Sequence, residues 1–438
     1  MDSWQSYDHR DRLSALPDSL TLMILSLLET RYVVRTTILS QRWRDLWTTV
    51  PRLKFEGFNP RHFICKVLAK WSGAKIVGFY LSTTCSIRPS DLDSWLLFAV
   101  EKQVEELYID FGPHTNAYYC PPQRLYSCSS ITELHLGLCC LLEIEGNVQW
   151  SRLKSLYIQV PDSSCHDAIN KILLGAPRLE EMTLFIGKIN ENFTIRSTSL
   201  KTLSILNQYW MVNADIMAML RIEAPNLLTL QIWGANVVNG GSCLFDVPSL
   251  TEASFSRFCE DYDPPLETFY HLLRSICHIK KFELSELTIK LLLALKKKDM
   301  VLQFPNADFL EHNYVQARGR LDLLEILDLL EMFPKLKILK FPQHDQILQD
   351  FNPIVETTFP HPSLLHLNTV EISWSGKDPA VIPFIKFILQ NAPLLYKLVF
   401  RLSKYRACFD RKRFLMIQEK VRSMPRSSPT AEVIIIDK

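Results

Sequence analysis

Beyond residue 55, apolar residues follow a recurrent pattern in which they occupy the first, fourth and sixth of six positions. Clear copies of the pattern begin at Val104, Ile131, Leu153, Leu179, Leu200, Leu227, Leu250, Ile279, Leu336, Leu367 and Leu395. Successive copies start 21 to 29 residues apart up to Ile279, and a weaker copy at Ala307 divides the 57 residues that follow. A period of this length predicts stacked units, each too small to bury its own apolar face.

Each copy of the pattern predicts one short strand. Apolar residues two positions apart, such as Leu156 and Ile158, point to the same side of a strand, and the residues between them face outward. Copies stacked side by side form a parallel sheet whose inward side chains make one continuous core. The period is that of leucine-rich repeats, which have about 20 to 29 residues each.

The longer intervals between copies contain amphipathic stretches that predict helices. Each ends just before a proline, as expected because proline disfavours helical backbone in the preceding residue. These stretches cover residues 167–177, 215–225, 322–334 and 381–393. We therefore predict an α/β solenoid, an arc with parallel strands on its concave side and helices on its convex side. Less regular copies between Asn59 and Ser82 are expected to begin it.

The N-terminal region has a different pattern, with three short helical segments. Leu16-Pro17-Asp18 is a helix-entry signal, since proline fixes φ and the carboxylate can accept from free amides. Ser40 is placed to cap the third segment. Apolar residues recur at helical spacing through the region: Leu20, Ile24, Leu25, Leu27, Leu28, Val33, Val34, Ile38, Leu39, Trp43, Leu46 and Trp47. So small a unit cannot bury them all, which favours a partner site over a plain helical cap.

The segments LPDSLTLMILSLL and VVRTTILSQRWRDLW make residues 11–55 resemble the F-box. This resemblance implies docking on the Skp-type adaptor of cullin-RING ubiquitin ligases. By position in the motif, the predicted adaptor-binding residues are Leu16, Pro17, Leu20, Ile24, Leu25, Val34, Leu39 and Trp43. Some of them, Trp43 above all, could instead hold the three helices together.

The C-terminal eighty residues resemble the FBD domain, which ends many plant F-box proteins. The likeness depends on the Asn391-Ala392-Pro393 turn, the segment from Met424 to Ser428 and the final apolar run 431–436. The chain as a whole thus resembles the plant F-box/FBD/LRR-repeat family. The predicted domains are an F-box at 9–56, leucine-rich repeats at 57–358 and an FBD domain at 359–438 that completes and caps the arc.

Composition limits the remaining function classes. The 438 residues have a net charge of +2, which gives no general attraction to nucleic acid or anionic membrane. The eleven cysteines include no C-x-x-C pair, and neither a signal peptide nor a membrane-spanning run is recognisable. We therefore expect a soluble protein with reduced thiols in the cytoplasm, the nucleus or both.

No phosphate-binding loop, zinc-protease motif or nucleophile elbow is found in the sequence. Carboxylates at every third position could suggest a metal or acid–base site, but they are better explained as the solvent-exposed face of an amphipathic helix. They are Asp322, Glu325, Asp328 and Glu331. We expect no catalytic residue, metal or cofactor.

These patterns together predict a non-catalytic substrate receptor of an SCF-type ubiquitin ligase. The outward positions of the strands offer a target-binding surface, unless flanking loops cover it. The predicted substrate-binding residues are Tyr108, Tyr157, Gln159, Phe185, Trp233 and Arg401. Two alternatives are an interaction scaffold outside any ligase and an enzyme active in the arc, which the absent motifs disfavour.

Overall fold

The structure is a computed structural model that describes residues 16–57, 61–85, 87–111, 119–139, 143–188, 192–206, 220–234, 243–256, 266–313, 323–341, 364–374, 381–402 and 411–437. The chain forms two compact units. The first consists of residues 1–161 and 167–182, and the second of residues 162–166 and 183–438.

The first unit begins with the three predicted helices, α1 (Asp18–Ser26), α2 (Thr30–Arg35) and α3 (Gln41–Leu46). Pro17 precedes α1 in extended backbone, and its carbonyl accepts from the amide of Thr21 at 3.0 Å. The predicted capping bonds are wrong, because neither α1 nor α3 has a side-chain capping bond, although Ser40 does precede α3. The Asp18 carboxylate instead accepts from Arg42 Nε at 2.8 Å, which joins α1 to α3.

The repeats of the first unit alternate strands and helices. The strands are β1 (Arg52–Glu56), β2 (Gly78–Ser82), β3 (Glu106–Asp110), β4 (Glu133–Cys139) and β5 (Ser155–Asp162). The helices are α4 (Arg61–Lys70), α5 (Pro89–Glu101), α6 (Gln123–Tyr126) and α7 (His166–Gly175). The strands are parallel and lie in chain order, so each repeat contacts its sequence neighbours.

Buried hydrogen bonds connect the N-terminal helices to the first repeat. The amide of Lys54 in β1 donates to the buried Thr30 hydroxyl of α2 at 2.8 Å. The Trp71 indole donates to the Val50 carbonyl at 2.9 Å. The helices are therefore built into the first unit and share its core.

The second unit is also built from repeated strands, and within its described residues helices lie between them only from residue 266 onward. Its main sheet contains β6 (Glu181–Lys188, from residue 183), β8 (Thr202–Leu206), β10 (Thr229–Trp233), β12 (Glu252–Ser256), β13 (Lys281–Ser285), β14 (Phe309–Asn313), β15 (Ile338–Phe341), β16 (Thr369–Trp374), β17 (Lys397–Leu402) and β18 (Glu432–Asp437). Its helices are α8 (Leu266–Ser275), α9 (Glu286–Lys297), α10 (Leu323–Leu330), α11 (Val381–Asn391) and α12 (Arg411–Arg422). The strands of this sheet are parallel.

Every predicted copy of the repeat pattern, from Val104 to Leu395, becomes a strand that starts two residues after the first apolar position. The inward residues are buried, as Leu156 and Ile158 illustrate. At the entrance of most strands, two consecutive amides share one carbonyl of the preceding repeat. The amides of Thr132 and Glu133, for example, donate to the Glu105 carbonyl at 2.7 and 3.1 Å. The predicted α/β solenoid class is confirmed.

The helix predicted before Pro225 is a correction to this picture. Residues 215–219 lie outside the described residues, and the rest of the stretch is the strand β9 (Leu220–Glu223). Leu220 and Ile222 alternate inward, and β9 pairs with β7 (Phe193–Arg196) and β11 (Cys243–Asp246). The apolar residues of this stretch thus follow the two-residue period of a strand, and pairing with β7 and β11 stabilises the strand in place of the predicted helix.

The C-terminal segment is built by the same rules. The apolar run of β18 pairs with β17, so that Leu398 lies opposite Val433. The completely buried Asn391 donates through its side-chain amide to the Phe387 carbonyl at 2.8 Å. The amide of Ser427 donates to the Leu389 carbonyl at 2.8 Å, which ties the two FBD-like motifs together. The boundaries proposed for this domain stay a prediction.

The buried His312 in β14 predicts a pH dependence of stability. Burial lowers the pKa of His312 to about 4, against about 6.5 for an unfolded histidine. The unfolded chain therefore takes up a proton that the folded chain refuses, and stability falls as the pH drops from about 6.5 to about 4. Between pH 7 and pH 4.5 we expect a loss of roughly 2.5 kcal/mol from this residue.

Urea unfolding at the two pH values measures this loss in the wild type and in His312→Leu. The variant should lose less stability on acidification than the wild type. His271→Leu, at an exposed position of α8, is the control and should keep the wild-type loss. An identical loss in the wild type and His312→Leu would contradict the prediction.

Candidate functional site

The N-terminal helices leave a set of large apolar side chains in solvent, which we call the helical apolar surface. These side chains are 38 to 86% exposed. They are Leu20, Met23, Ile24, Leu27, Leu28, Tyr32, Ile38 and Leu39. Single exposed apolar residues are common on proteins, but this many within twenty residues indicates a surface that another protein covers.

The predicted adaptor-binding residues divide between this surface and the interior. Leu20, Ile24 and Leu39 belong to the helical apolar surface, Pro17 is exposed, and Leu16 and Val34 are half-buried. Leu25 and Trp43 are only 1% and 6% exposed. The prediction that these two present a contact surface is therefore corrected, because they pack the three helices against one another.

Five residues of the helical apolar surface were not among the predicted site residues: Met23, Leu27, Leu28, Tyr32 and Ile38. The signal for two of them was available, because positions 20, 23, 24 and 27 share one face of α1. Cations surround Tyr32, with the Arg31 guanidinium 4.7 Å and the Arg35 guanidinium 5.7 Å from its ring centre. The surface thus combines an apolar centre with a basic edge.

A second candidate surface lies on the outward side of β1 to β5. Tyr80, Tyr108, His135 and Tyr157 occupy the same register position on successive strands, and we call them the aromatic row. His135 stacks between Tyr108 and Tyr157, with ring centres 4.0 Å apart on both sides. Tyr80 lies 6.4 Å from Tyr108, and Lys54 extends over its other side with Nζ 5.6 Å from the ring centre.

Two glycines make room for the aromatic row. A Cβ atom at Gly78 would lie 2.5 Å from the Tyr80 ring, and one at Gly137 would lie 3.0 Å from His135 Nε2 and from Asp110 Oδ1. Such distances are too short for side-chain contacts. The absence of side chains at these positions lets Tyr80 and His135 lean along their strands toward the glycines.

Arg52, Tyr80 and Glu106 form a hydrogen-bonded cluster at one end of the aromatic row. Arg52 donates to the Tyr80 hydroxyl at 2.6 Å and to Glu106 Oε1 at 2.7 Å, and the Tyr80 hydroxyl donates to Glu106. Burial and the bond to Glu106 raise the pKa of Tyr80 to about 12. Burial opposes ionisation of Glu106, but the bonds from Arg52 and Tyr80 prevail and lower its pKa.

The rest of the aromatic row is uncharged at neutral pH. Burial raises the pKa values of Tyr108 and Tyr157, with Asp110 adding to both shifts. Burial also lowers the pKa of His135, although the Asp110 carboxylate opposes that shift. The Tyr108 hydroxyl donates to Asp110 at 3.3 Å. The row is thus a rigid neutral platform edged by carboxylates.

The structure brings together three of the six predicted substrate-binding residues. Tyr108 and Tyr157 are in the aromatic row, and Gln159 follows Tyr157 on the outward side of β5. The other three belong to the second unit. There Trp233 on β10 and Arg401 on β17 are six strand positions apart, which corresponds to roughly 29 Å. Binding at these residues stays a prediction.

On β13 to β17 the outward side of the second unit carries many charged side chains. Arg401 pairs with Glu371 at 3.4 Å, and Lys340 lies 3.8 Å from the same carboxylate. Burial and the nearby Glu283 raise the pKa of Glu311. Phe185 on β6 is half-buried, and Trp233 is 37% exposed. Phe185, Trp233 and Arg401 therefore have different surroundings.

The described part of the chain holds no group of three or more histidine, cysteine or acidic side chains arranged to bind a metal ion. Within the same residues, no helix has the length and apolar character needed to cross a membrane.

Two family models match the parts of the chain that contain these surfaces. A family model described as F-box domain matches residues 13–55. Another, described as FBD-associated F-box protein At5g56370, LRR repeats, matches residues 92–259. The first match contains the helical apolar surface, and the second contains the aromatic row from Tyr108 onward.

Relatives from Arabidopsis thaliana resemble the chain over different lengths. F-box/FBD/LRR-repeat protein At3g52680 is 31% identical over 49% of this chain, which spans about half (51%) of that relative. F-box/LRR-repeat protein At3g03360 is 26% identical over 97% of the chain and 90% of its own length. F-box/FBD/LRR-repeat protein At3g26920 is 26% identical over 99% of the chain and 98% of its own length.

The fold and the N-terminal helices define a leucine-rich-repeat protein that begins with an F-box. The chain carries a match to the F-box domain and a match to FBD-associated LRR repeats, and relatives similar to it over most of its length are F-box/LRR-repeat and F-box/FBD/LRR-repeat proteins. F-box domains as a class bind Skp-type adaptors of SCF ubiquitin ligases. The names of the matched F-box and LRR families point to non-catalytic adaptor proteins.

The close approach of Tyr80 to Gly78 predicts a stability effect. In Gly78→Ala the new methyl group displaces the Tyr80 ring, which disturbs the bonds to Arg52 and Glu106. We expect a loss of about 1–3 kcal/mol, as for other overpacked sites. Gly146→Ala is the control, because a Cβ there meets no atom within 4 Å.

Chemical unfolding of the two variants and of Tyr80→Ala with and without Gly78→Ala measures this effect. In the Tyr80→Ala background the substitution at Gly78 should cost much less, since the clashing ring is gone. Equal losses in Gly78→Ala and Gly146→Ala would refute the explanation.

Proposed function

We propose that this chain is the substrate-recognition subunit of an SCF-type ubiquitin ligase. The observation that supports this most strongly is the helical apolar surface, which lies within the residues that match the F-box. Large apolar side chains at the centre of an interface provide most of the affinity in protein complexes. In this proposal Leu20, Ile24 and Leu27 contact the adaptor, with Met23 and Leu39 beside them.

The chain makes and breaks no bonds in this proposal. It holds a target protein so that a lysine of the target meets the ubiquitin-conjugating enzyme of the same complex. Such tethering raises the local concentration of the reacting groups and replaces a chance encounter in solution. The F-box is built into the core of the first unit through Thr30 and Trp71, so the adaptor-bound helices and the first repeats would act as one body.

Co-purification with a Skp-type adaptor tests the proposal. The double variant Ile24→Glu, Leu27→Glu puts two charges into the helical apolar surface, and we expect at least a tenfold loss of adaptor binding. The control is Leu174→Glu, Val301→Glu, which changes two other highly exposed apolar residues outside the F-box. It should bind like the wild type.

Circular dichroism and the melting temperature establish that both double variants are folded. Adaptor binding equal to wild type in Ile24→Glu, Leu27→Glu would refute docking through this surface. Failure of the wild-type chain to bind any Skp-type adaptor would favour a scaffold outside the ligase.

We further propose that the chain works in the cytoplasm, the nucleus or both. Support comes from the eleven cysteines without paired spacing and from a function that requires the ubiquitin system. A fluorescent fusion expressed in plant cells should be diffuse in one or both compartments. Fluorescence confined to the secretory pathway would contradict this proposal.

A further inference from the structure

The aromatic row has chemistry that favours one kind of partner. The faces of His135 are covered by Tyr108 and Tyr157, because the three rings stack at 4.0 Å. What the stack offers to solvent is therefore ring edges, hydroxyl groups and ring nitrogens. A nucleic-acid base needs an open aromatic face to stack on, so the covered faces disfavour a base as the ligand.

Carboxylates lie on both sides of the aromatic row. On one side, Glu106 and Glu133 are in register on neighbouring strands. On the other side, Glu56, Ser82 and Asp110 are in register on β1, β2 and β3. Arg52 compensates Glu106 by a two-point ion pair. Lys54 is then the only other cation among the outward positions of β1 to β5 in the described residues. The surface therefore has a net negative charge.

Two of these carboxylates are available to a partner. Glu56 and Glu133 are exposed, and neither forms an ion pair within the described residues. Glu56 is two positions from Lys54, which is in register with the aromatic row, and Glu133 is two positions from His135 in the row. Both carboxylates therefore face the same way as the row. Because Glu56 is on β1 and Glu133 is on β4, three strands away, two cations of one partner segment can each meet a carboxylate at different points of the face.

We propose that the outward face of β1 to β5 binds an arginine-rich segment of a partner protein. The inference rests on the proposed function, in which that partner is the target. An arginine side chain combines an apolar stem, which packs against the ring edges, with a guanidinium that donates bidentate hydrogen bonds to a carboxylate. Its planar head is also more weakly hydrated than the ammonium of lysine, which lowers the cost of binding.

The rigidity of the face supports this assignment. The rings are held in place in the free protein by stacking and by the hydrogen bonds among Arg52, Tyr80 and Glu106. Gly78 and Gly137 leave the space that these ring positions require. A surface that is already ordered loses little conformational entropy when it binds a flexible peptide. Phosphate-rich ligands and acidic segments would instead be repelled by the carboxylates.

Fluorescence anisotropy on the full chain tests the inference. The probe is a labelled flexible peptide of glycine and serine that carries four arginines, compared with versions carrying four lysines or four glutamates. We expect the arginine peptide to bind most tightly, the lysine peptide more weakly and the glutamate peptide not at all. Affinity for the arginine peptide should fall as salt is raised, because the contacts are electrostatic.

Amide substitutions locate the binding face with little risk to folding. We expect Glu56→Gln, Glu133→Gln to weaken binding of the arginine peptide at least tenfold. The control is Glu143→Gln, Glu145→Gln, which removes two exposed charges of the first unit away from the strands and should bind like the wild type. Equal affinities of the two double variants, or equal binding of the arginine and glutamate peptides, would overturn the proposal.

Adaptor co-purification with the same variants separates this inference from the proposed function. Both double variants should bind the adaptor normally, because the helical apolar surface is untouched. If the wild type binds the arginine peptide through Glu56 and Glu133 but not the adaptor, the proposed function fails and the peptide site is supported. If it binds the adaptor and the peptide affinity ignores the two carboxylates, the peptide site fails alone.

Discussion

Hydrogen bonding between short parallel strands is the constraint on which the other features of this protein depend. Most strand entrances place two amides on one carbonyl of the preceding repeat, as Thr132 and Glu133 do with Glu105. This arrangement fixes the register, so that inward leucines and isoleucines of successive repeats meet in the core. It also explains why repeats of 21 to 29 residues can differ in length, since the variation is absorbed between the strands.

The same register determines the outward surface. Residues one repeat apart in sequence become neighbours about 4.8 Å apart across the sheet, so a single aromatic per repeat is enough to build a stack. Tyr108, His135 and Tyr157 form such a stack, and the small residues Gly78 and Gly137 leave it room. On β13 to β16 of the second unit the corresponding positions hold Glu283, Glu311, Lys340 and Glu371, and Glu371 is shared between Lys340 and Arg401. One backbone plan therefore supports surfaces of different chemistry.

The N-terminal helices show how one apolar pattern can serve two purposes. Leu25 and Trp43 fill the small interior between the helices, whereas Leu20, Ile24 and Leu39 lie outside it. A unit of about forty residues has too little interior to bury both groups. The uncovered group is thus a consequence of size, and the bond from Lys54 to Thr30 holds it in a fixed place on the first unit.

The sequence by itself determined the repeat, the start of nearly every strand and the three N-terminal helices, because these depend on local periodicity. It also indicated Tyr108 and Tyr157 as outward residues. Only the tertiary structure decided that His135 completes their stack, that Leu25 and Trp43 are interior, and that residues 220–223 form a strand. Those outcomes depend on which neighbours each residue meets across the sheet or between helices. The partners across the sheet are 22 to 27 positions apart in sequence, so local periodicity does not reveal them.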